Sequence, residues 1–203
     1  MKGTMRIIGG TLSGRKIEPP ESITTRPMMD RVREALFNVL EHRDFGEDID
    51  PLFSEETVVL DAFCGTGALA FEAISRGAGR AVLFDNSSQA LKVAAANAAA
   101  LGIKDKCHII RADATMPSLR QGFGGQAAKL VFLAPPYRKG LIPLAYRALT
   151  QSGWIGRHSI IIAETAKKEV FETLEGCELI VSKTYGDTAV RFMKCGVGKM
   201  ENG

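Results

Sequence analysis

The sequence predicts an α/β, Rossmann-like fold: a mostly parallel seven-stranded sheet with an antiparallel last strand, plus a small N-terminal β-hairpin and helix extension. Three observations predict it. Short apolar runs alternate with helical segments from residue 57 onward, a glycine turn joins the first run to the first of those helices, and the last two runs are linked by a segment too short to hold a helix. A chain of 203 residues allows one such domain with a sizeable core and a small appendage, but not two ordinary domains.

The elements follow in order. Residues 5–18, MRIIGGTLSGRKIE, set two short apolar stretches across glycine-rich turns and predict a hairpin bearing basic side chains. From Asp30 to Glu41, Val32, Ala35, Leu36, Val39 and Leu40 recur at helical spacing, with Asp30 as a capping residue. Residues 1–43 are therefore read as a basic extension and 44–203 as the Rossmann-like domain, entered through a polar loop at 44–56. Strands are expected at 57–60, 81–84, 107–110, 129–133 and 158–163. Between the first three lie AFEAISRG, ending at Gly77, and SSQALKVAAANAAALG, opening on a serine cap and ending at Gly102. This alternation calls for parallel strands covered by helices on both faces. The Gly-rich QGFGGQ at 121–126 reads as a loop between a helix and a strand. Runs 177–183 and 189–194, joined through Tyr185, Gly186, Asp187 and Thr188, should pair antiparallel.

Composition narrows the class. With 45% hydrophobic and 24% charged residues the chain is an ordinary globular one rather than a disordered one. No apolar run approaches the roughly 20 residues that cross a bilayer, and no signal-peptide core stands at the N-terminus, so a cytoplasmic protein without a membrane partner is expected. Cys64, Cys107, Cys177 and Cys195 form no CxxC pair and have no histidine at ligand spacing. No metal is expected, and the four read as small core hydrophobes in a reducing compartment. His42, His108 and His158 are scattered, and none reads as catalytic. The net charge is only +3, yet Lys2, Arg6, Arg15, Lys16, Arg26, Arg31, Arg33 and Arg43 crowd the first 43 residues. Such a local field collects a polyanion; a solvated basic face is the plainer alternative.

The first chemical constellation is Leu60-Asp61-Ala62-Phe63-Cys64-Gly65-Thr66-Gly67-Ala68, a strand running through a glycine turn into a helix. Gly65 and Gly67 let a ligand approach the backbone where a helix presents unpaired N–H groups. That pattern fits any nucleotide site, or a tight turn. Asp61 sharpens it: a carboxylate there suits the ammonium of a methionine moiety better than a pyrophosphate, although it could equally tie down the loop. Charge complementarity favours S-adenosylmethionine. Asp85 ends the second strand, 20 positions after Gly65, where it can accept from ribose hydroxyls. Asp113, after the third strand, is set to meet the adenine amine. The candidate cofactor contacts are Asp61, Phe63, Cys64, Gly65, Thr66, Gly67, Asp85, Asn86, Asp113 and Ala114. Each aspartate alone could be a helix cap.

The second constellation, Ala134-Pro135-Pro136-Tyr137, closes the fourth strand. It offers rigid carbonyls and an aromatic face, which suit a base swung out of its stack; Pro-Pro could also be a strand terminator.

Taken together, GTGAL, an acidic strand end, ADA, xPPY and a final YGDT hairpin resemble the amino methyltransferases of nucleic-acid bases. The N-terminal RIIGG…GRKI…TRPMMDRVREALFNVL resembles specifically the bacterial 16S ribosomal RNA guanine-N2 methyltransferases that modify guanine 966. This resemblance covers roughly residues 5–195. It implies a class I methyltransferase fold and transfer of a methyl group from S-adenosylmethionine to an exocyclic guanine amine, on RNA within a small-subunit particle. The chain's size and the lack of an apolar surface stripe make a monomer the default expectation. The resemblance makes Ala134, Pro135, Pro136 and Tyr137 the catalytic segment and Arg6, Arg15, Lys16, Arg26, Arg31 and Arg33 the RNA contacts. One departure stands out: the family pattern is Asp-Pro-Pro-Tyr or Asp-Pro-Pro-Phe, and Ala134 occupies the aspartate position. The missing carboxylate would have oriented the amine, so this chain is expected to bind cofactor and RNA but to turn over slowly.

Two other readings share some of these residues. A nicotinamide-dependent oxidoreductase fits the glycine turn and Asp85, but neither the xPPY strand end nor the closing hairpin. A non-catalytic RNA-binding or assembly protein on a methyltransferase fold would account for Ala134.

Overall fold

The computed structural model describes residues 5–19, 30–49, 51–119 and 126–196. The chain order is β1 (Met5–Arg6), β2 (Lys16–Ile17), α1 (Asp30–His42), β3 (Val58–Asp61), α2 (Ala68–Ser75), β4 (Arg80–Asp85), α3 (Ser88–Leu101), β5 (Cys107–Arg111), β6 (Ala128–Leu133), α4 (Leu141–Gln151), β7 (Ile155–Ala166), β8 (Cys177–Tyr185) and β9 (Thr188–Cys195). Seven of the strands form one sheet in the order β5-β4-β3-β6-β7-β9-β8. The first five are parallel, and β9 pairs antiparallel with both β7 and β8. The Rossmann-like sheet, its antiparallel close and the N-terminal hairpin are all present.

The chain builds outward from β3 through β4 to β5, then returns to the other side of β3 as β6. The switch point of the sheet therefore lies between β3 and β6, where ligands of open α/β sheets bind. The alternation of buried side chains explains the two layers. Val59, Phe132, Ile162 and Val190 face one way, under α1, α2 and α3. Leu60, Val131, Ile161 and Met193 face the other, with Tyr146 and Leu149 of α4. Phe37 of α1 lies 6.2 Å from Phe53 and 5.9 Å from Phe132, and on the opposite face Trp154 meets Phe84 edge-on at 5.0 Å. The expected cap of α3 is made: Ser87 Oγ accepts from Ala90 N, and Gly102 ends the helix at φ 74.

The structure corrects four expectations. Asp30 is the first residue of α1, and its carboxylate is held by Arg33 Nη2 at 2.8 Å. No helix precedes the glycine-rich loop: residues 114–119 are turn and coil, and 121–125 of that loop lie outside the described residues. Helix α4 is additional. Pro143 occupies its first turn, where a missing N–H forfeits no bond. Finally, Cys177 and Cys195 are not separate thiols. The β8/β9 register sets them directly opposite each other, and they are disulfide-bonded; Cys64 and Cys107 are free.

The N-terminal hairpin is clamped to α2 by buried charge. Glu72 is fully buried and accepts from Ile8 N at 2.8 Å, Gly9 N at 2.7 Å and Arg76 Nε at 3.0 Å. Arg33 Nε stands 3.8 Å from it, an ion-pair distance rather than a hydrogen bond. Gly10, at φ +73, sits where a Cβ would lie 1.9 Å from the Ser75 carbonyl, so the turn can dock only because that side chain is absent. Glu72→Ala strands two amides and two guanidinium groups. Loss of one partner of a buried ion pair costs about 3–5 kcal/mol, so urea denaturation should show that fall as a lower midpoint with little change in slope.

Candidate active site

Asp61 ends β3 at the switch point and is only 1% exposed. Its Oδ1 is buried with no hydrogen-bond partner. Burial pushes the carboxyl up to about 7, assisted by the charge of Asp85 and opposed by the backbone N–H groups of Phe63 and Ala70. A buried carboxylate oxygen without a donor is costly, and a cationic ligand would relieve it.

The turn that follows is fixed by backbone bonds: Cys64 N donates to Phe84 O at 2.8 Å and Gly67 N to Cys64 O at 2.8 Å. The two glycines serve different ends. A Cβ on Gly67, at φ +84, would strike Phe71 at 2.3 Å, so this residue lets α2 pack on the sheet. A Cβ on Gly65 would meet nothing within 4 Å, so the backbone there faces open space. Phe63 is half-buried beside the turn, while Cys64 and Thr66 are buried. Burial drives the Cys64 thiol well above its usual range, which leaves it a packing residue rather than a nucleophile.

Asp85 crosses to the same turn. Its Oδ2 accepts from Gly65 N at 2.9 Å and its Oδ1 from Ser87 N at 2.8 Å. A carboxylate offers about four lone-pair sites, so acceptor capacity remains beside exposed Asn86 for a pair of hydroxyls. Asp113 is exposed, and its Oδ1 takes both the amide and the hydroxyl of Thr115 at 2.8 and 2.6 Å. Those two bonds hold its carboxyl below the ordinary value, and its second oxygen is left for another donor. Ala114, buried beneath it, packs with the face that holds Phe84.

Ala134, Pro135, Pro136 and Tyr137 follow β6, adjacent to β3. The Tyr137 hydroxyl donates to Glu164 Oε1 and lies 3.0 Å from Thr188 Oγ1. Glu164, at the carboxyl end of β7, is 7% exposed, and burial raises its carboxyl while the Tyr137 bond opposes the rise. Pro135, Pro136, Tyr137, Glu164, Glu169 and Phe171 are among the walls of a cavity of about 210 Å³. It is smaller than the roughly 300–1,000 Å³ that encloses drug-sized ligands and suits one planar group.

Residues 5–194 match the family described as Conserved hypothetical protein 95. The chain belongs to that family. One curated relative, Ribosomal RNA small subunit methyltransferase D of Escherichia coli strain K12, is 35% identical over 191 residues, spanning 94% of this chain and 89% of its own. The protein of the same name from Haemophilus influenzae is 30% identical over 191 residues, with 94% of both chains covered. Among solved structures, the Escherichia coli protein yhhF aligns at a TM-score of 0.77 and 28% identity over 97% of this chain and 100% of its own. An RNA methyltransferase from Salinibacter ruber, solved with S-adenosyl-L-homocysteine, shares the fold at a TM-score of 0.62 and 13% identity, over 87% of this chain and 98% of its own. The family's fold is the class I methyltransferase fold.

The basic residues of this family member divide. Arg6, Arg15, Lys16 and Arg31 are exposed. Arg15 donates to the Ala100 carbonyl at 2.5 Å, and Arg6 lies 3.8 Å from Asp30. Arg26 lies outside the described residues. Arg33 contradicts the reading as an RNA contact: it is 0% exposed, held by Asp30, the Arg6 carbonyl and Glu72. Its position on α1 faces α2, and a guanidinium enclosed by carboxylates cannot reach a phosphate.

Two residues of the site escaped the sequence reading. Glu164 was detectable as a fourth acidic strand end after Asp61, Asp85 and Asp113. Asn97 carried no local signal: in mid-helix, its side chain clasps the Thr66 carbonyl at 3.1 Å and the Glu18 backbone, tying the extension to the glycine turn.

The raised Asp61 carboxyl has a measurable consequence. In the unfolded chain this group ionises near 3.9, and in the fold near 7, so its ionisation opposes folding increasingly as pH rises through that window. Without cofactor, Asp61→Asn should raise the thermal midpoint clearly at pH 8 and much less at pH 5; an equal effect at both would refute the buried-charge account.

Proposed function

We propose that this chain methylates the exocyclic N2 of a guanine in 16S ribosomal RNA, guanine 966 in an assembling small-subunit particle, with S-adenosylmethionine as donor. The observation that carries the reading is the buried, unpartnered Asp61 oxygen beside the open Gly65 turn, one strand from the Pro-Pro-Tyr cavity. The family relatives named as small-subunit ribosomal RNA methyltransferases support the substrate class.

Asp61 would hold the ammonium of the donor, Asp85 its ribose hydroxyls and Asp113 its adenine amine, with Phe63, Cys64, Gly65, Thr66, Gly67, Asn86 and Ala114 forming the walls. The donor supplies an electrophilic methyl group on a sulfonium. The carbonyls of Ala134 and Pro135 would accept from the target amine, and the ring of Tyr137 would stack on the base. Placing nitrogen and methyl in line is the main service required, since an aromatic amine attacks without prior loss of a proton. The same Asp61 argues against a nicotinamide dinucleotide, because a buried carboxylate beside the turn repels a pyrophosphate. Among the described residues no helix is long and apolar enough to cross a membrane; the reading is of a cytoplasmic, monomeric enzyme acting on RNA.

Exposed Arg6, Arg15, Lys16 and Arg31 would steer and hold the phosphate backbone, with Arg26 beside them in the sequence. Arg31→Ala should weaken RNA binding and lower the slope of log affinity against log salt by about 1, as titration over a range of salt concentrations would report.

Single-turnover transfer from labelled S-adenosylmethionine to undermethylated small-subunit particles tests the assignment, with product mapping. Loss of an oriented transition-state contact costs roughly 100- to 1000-fold in rate, so Ala134→Asp should raise the rate at least about 10-fold and at most to that ceiling. Methylation at another atom would refute the guanine N2 assignment. Turnover in neither protein, despite S-adenosylhomocysteine binding, would favour the non-catalytic assembly role.

A further inference from the structure

We infer that Glu164, on the neighbouring strand, does part of the work of the carboxylate that Ala134 does not supply, gripping the target guanine through its N1–H and N2–H edge. The inference rests on the methyltransferase reading above and deepens it.

Register is the first support. In the parallel β6/β7 pair, Leu133 is the partner of Ala163, so Ala134 and Glu164 come next along each strand, side by side. Side chains alternate across a sheet. Phe132 and Ile162 belong to one face, and Ala134 packs against that cluster, so Glu164 and Ala134 share it. Asp61, level with Phe132, lies on the same face one strand to the other side. Three neighbouring strand ends therefore carry Asp61, a methyl group and Glu164 in a row.

The second support is how Glu164 is held. It is more than nine-tenths buried, and Oε1 is anchored by the Tyr137 hydroxyl, which Thr188 of β9 also meets. Oε2 has no further partner among the described residues, and the side chain lines the same cavity as Pro135 and Tyr137. An anchored carboxylate in the wall of a cavity, with one oxygen not committed to a partner, is an acceptor available to an occupant. Its position also separates the bases. Guanine offers adjacent donors, N1–H and the N2 amine, whereas adenine and cytosine set a ring-nitrogen acceptor beside their amine, which a carboxylate repels. Glu164 thus selects guanine as well as orienting its amine.

In the transfer, the N2 lone pair forms the new C–N bond while the C–S bond of the sulfonium breaks, the sulfur keeping that pair. One N–H proton leaves to the Glu164 oxygen that already accepts from it, and then to solvent.

The test is a double-mutant cycle in the single-turnover assay, using this chain, Glu164→Gln, Ala134→Asp and the double variant. Glutamine keeps the shape and can still accept from Tyr137. Glu164→Gln should lower the rate about 100-fold, as for loss of one aimed charge-stabilising contact, with S-adenosylhomocysteine affinity unchanged and the melting midpoint not lowered. In the Ala134→Asp background, itself faster than the parent because a carboxylate at position 134 does more fully what Glu164 does from the neighbouring strand, the loss should shrink below about 10-fold as the dependence on Glu164 is removed. A rate within about 3-fold of the parent, or equal losses in both backgrounds, overturns the inference and leaves the methyltransferase assignment standing. No transfer by any of the four proteins overturns both. Should Glu164→Gln fail to fold, Glu164→Asp carries the test. It keeps the charge but withdraws it by one methylene, and it should lose at least about 10-fold; a parental rate overturns the inference.

Discussion

The pairing of β6 between β3 and β7 is the constraint on which the rest depends. Parallel strands hold their register through evenly spaced hydrogen bonds, and burial on both faces forbids a one-residue slip, which would turn Phe132 and Ile162 onto the wrong layer. Once Asp61 is level with Phe132, and Leu133 with Ala163, the strand ends fall into a fixed order. Asp85 and Asp61 stand over one side of the switch point, Tyr137 and Glu164 over the other. The residues that the proposed reading gives to the methyl donor and to the target base thereby stand on neighbouring strands across β6.

The carboxylates along that edge differ because their surroundings differ. Asp61 is enclosed and lacks a partner for one oxygen, so desolvation governs it. Asp113 sits in the open and is saturated on one oxygen by Thr115, so hydrogen bonding governs it. Glu164 lies between these cases, buried but anchored by a phenol. Divergent environments for similar groups commonly mark a working site, and along this edge one carboxylate is buried without a partner for one oxygen, one is open and bonded to Thr115, and one is buried and anchored beside a cavity.

A second buried cluster keeps the extension from being a loose appendage. Glu72 gathers the amides of Ile8 and Gly9 and the guanidinium of Arg76, while Arg33 bridges Asp30 and the Arg6 carbonyl. Arg76 also pairs with Glu41 at 2.5 Å and stacks on Phe37 at 5.0 Å. The hairpin, α1 and α2 thereby share one charge network at the edge of the core. Asn97 repeats the idea nearer the site, joining Glu18 to the Thr66 carbonyl. The exposed arginines are carried on a part of the chain that is rigidly referenced to the glycine turn.

By itself, the sequence determined the elements that local chemistry writes out. Apolar runs marked six of the seven sheet strands to within two residues at either end, and the seventh, Ile155–Ala166, to within three. Glycines and a serine cap marked the helix ends, and Asp61, Asp85 and Asp113 stood at strand ends because strand ends can be read from periodicity. What depended on contact between distant segments had no such signature. Arg33 read as a surface cation because helical spacing cannot reveal that its neighbour across space is Glu72, 39 positions away. Cys177 and Cys195 read as separate thiols until the hairpin register set them opposite. Glu164 stood at a strand end like the aspartates, but that its neighbours are Ala134 and Tyr137 was decided only when β7 paired with β6. Periodicity reports which way a side chain points from its own backbone; only the tertiary structure decides what it points at.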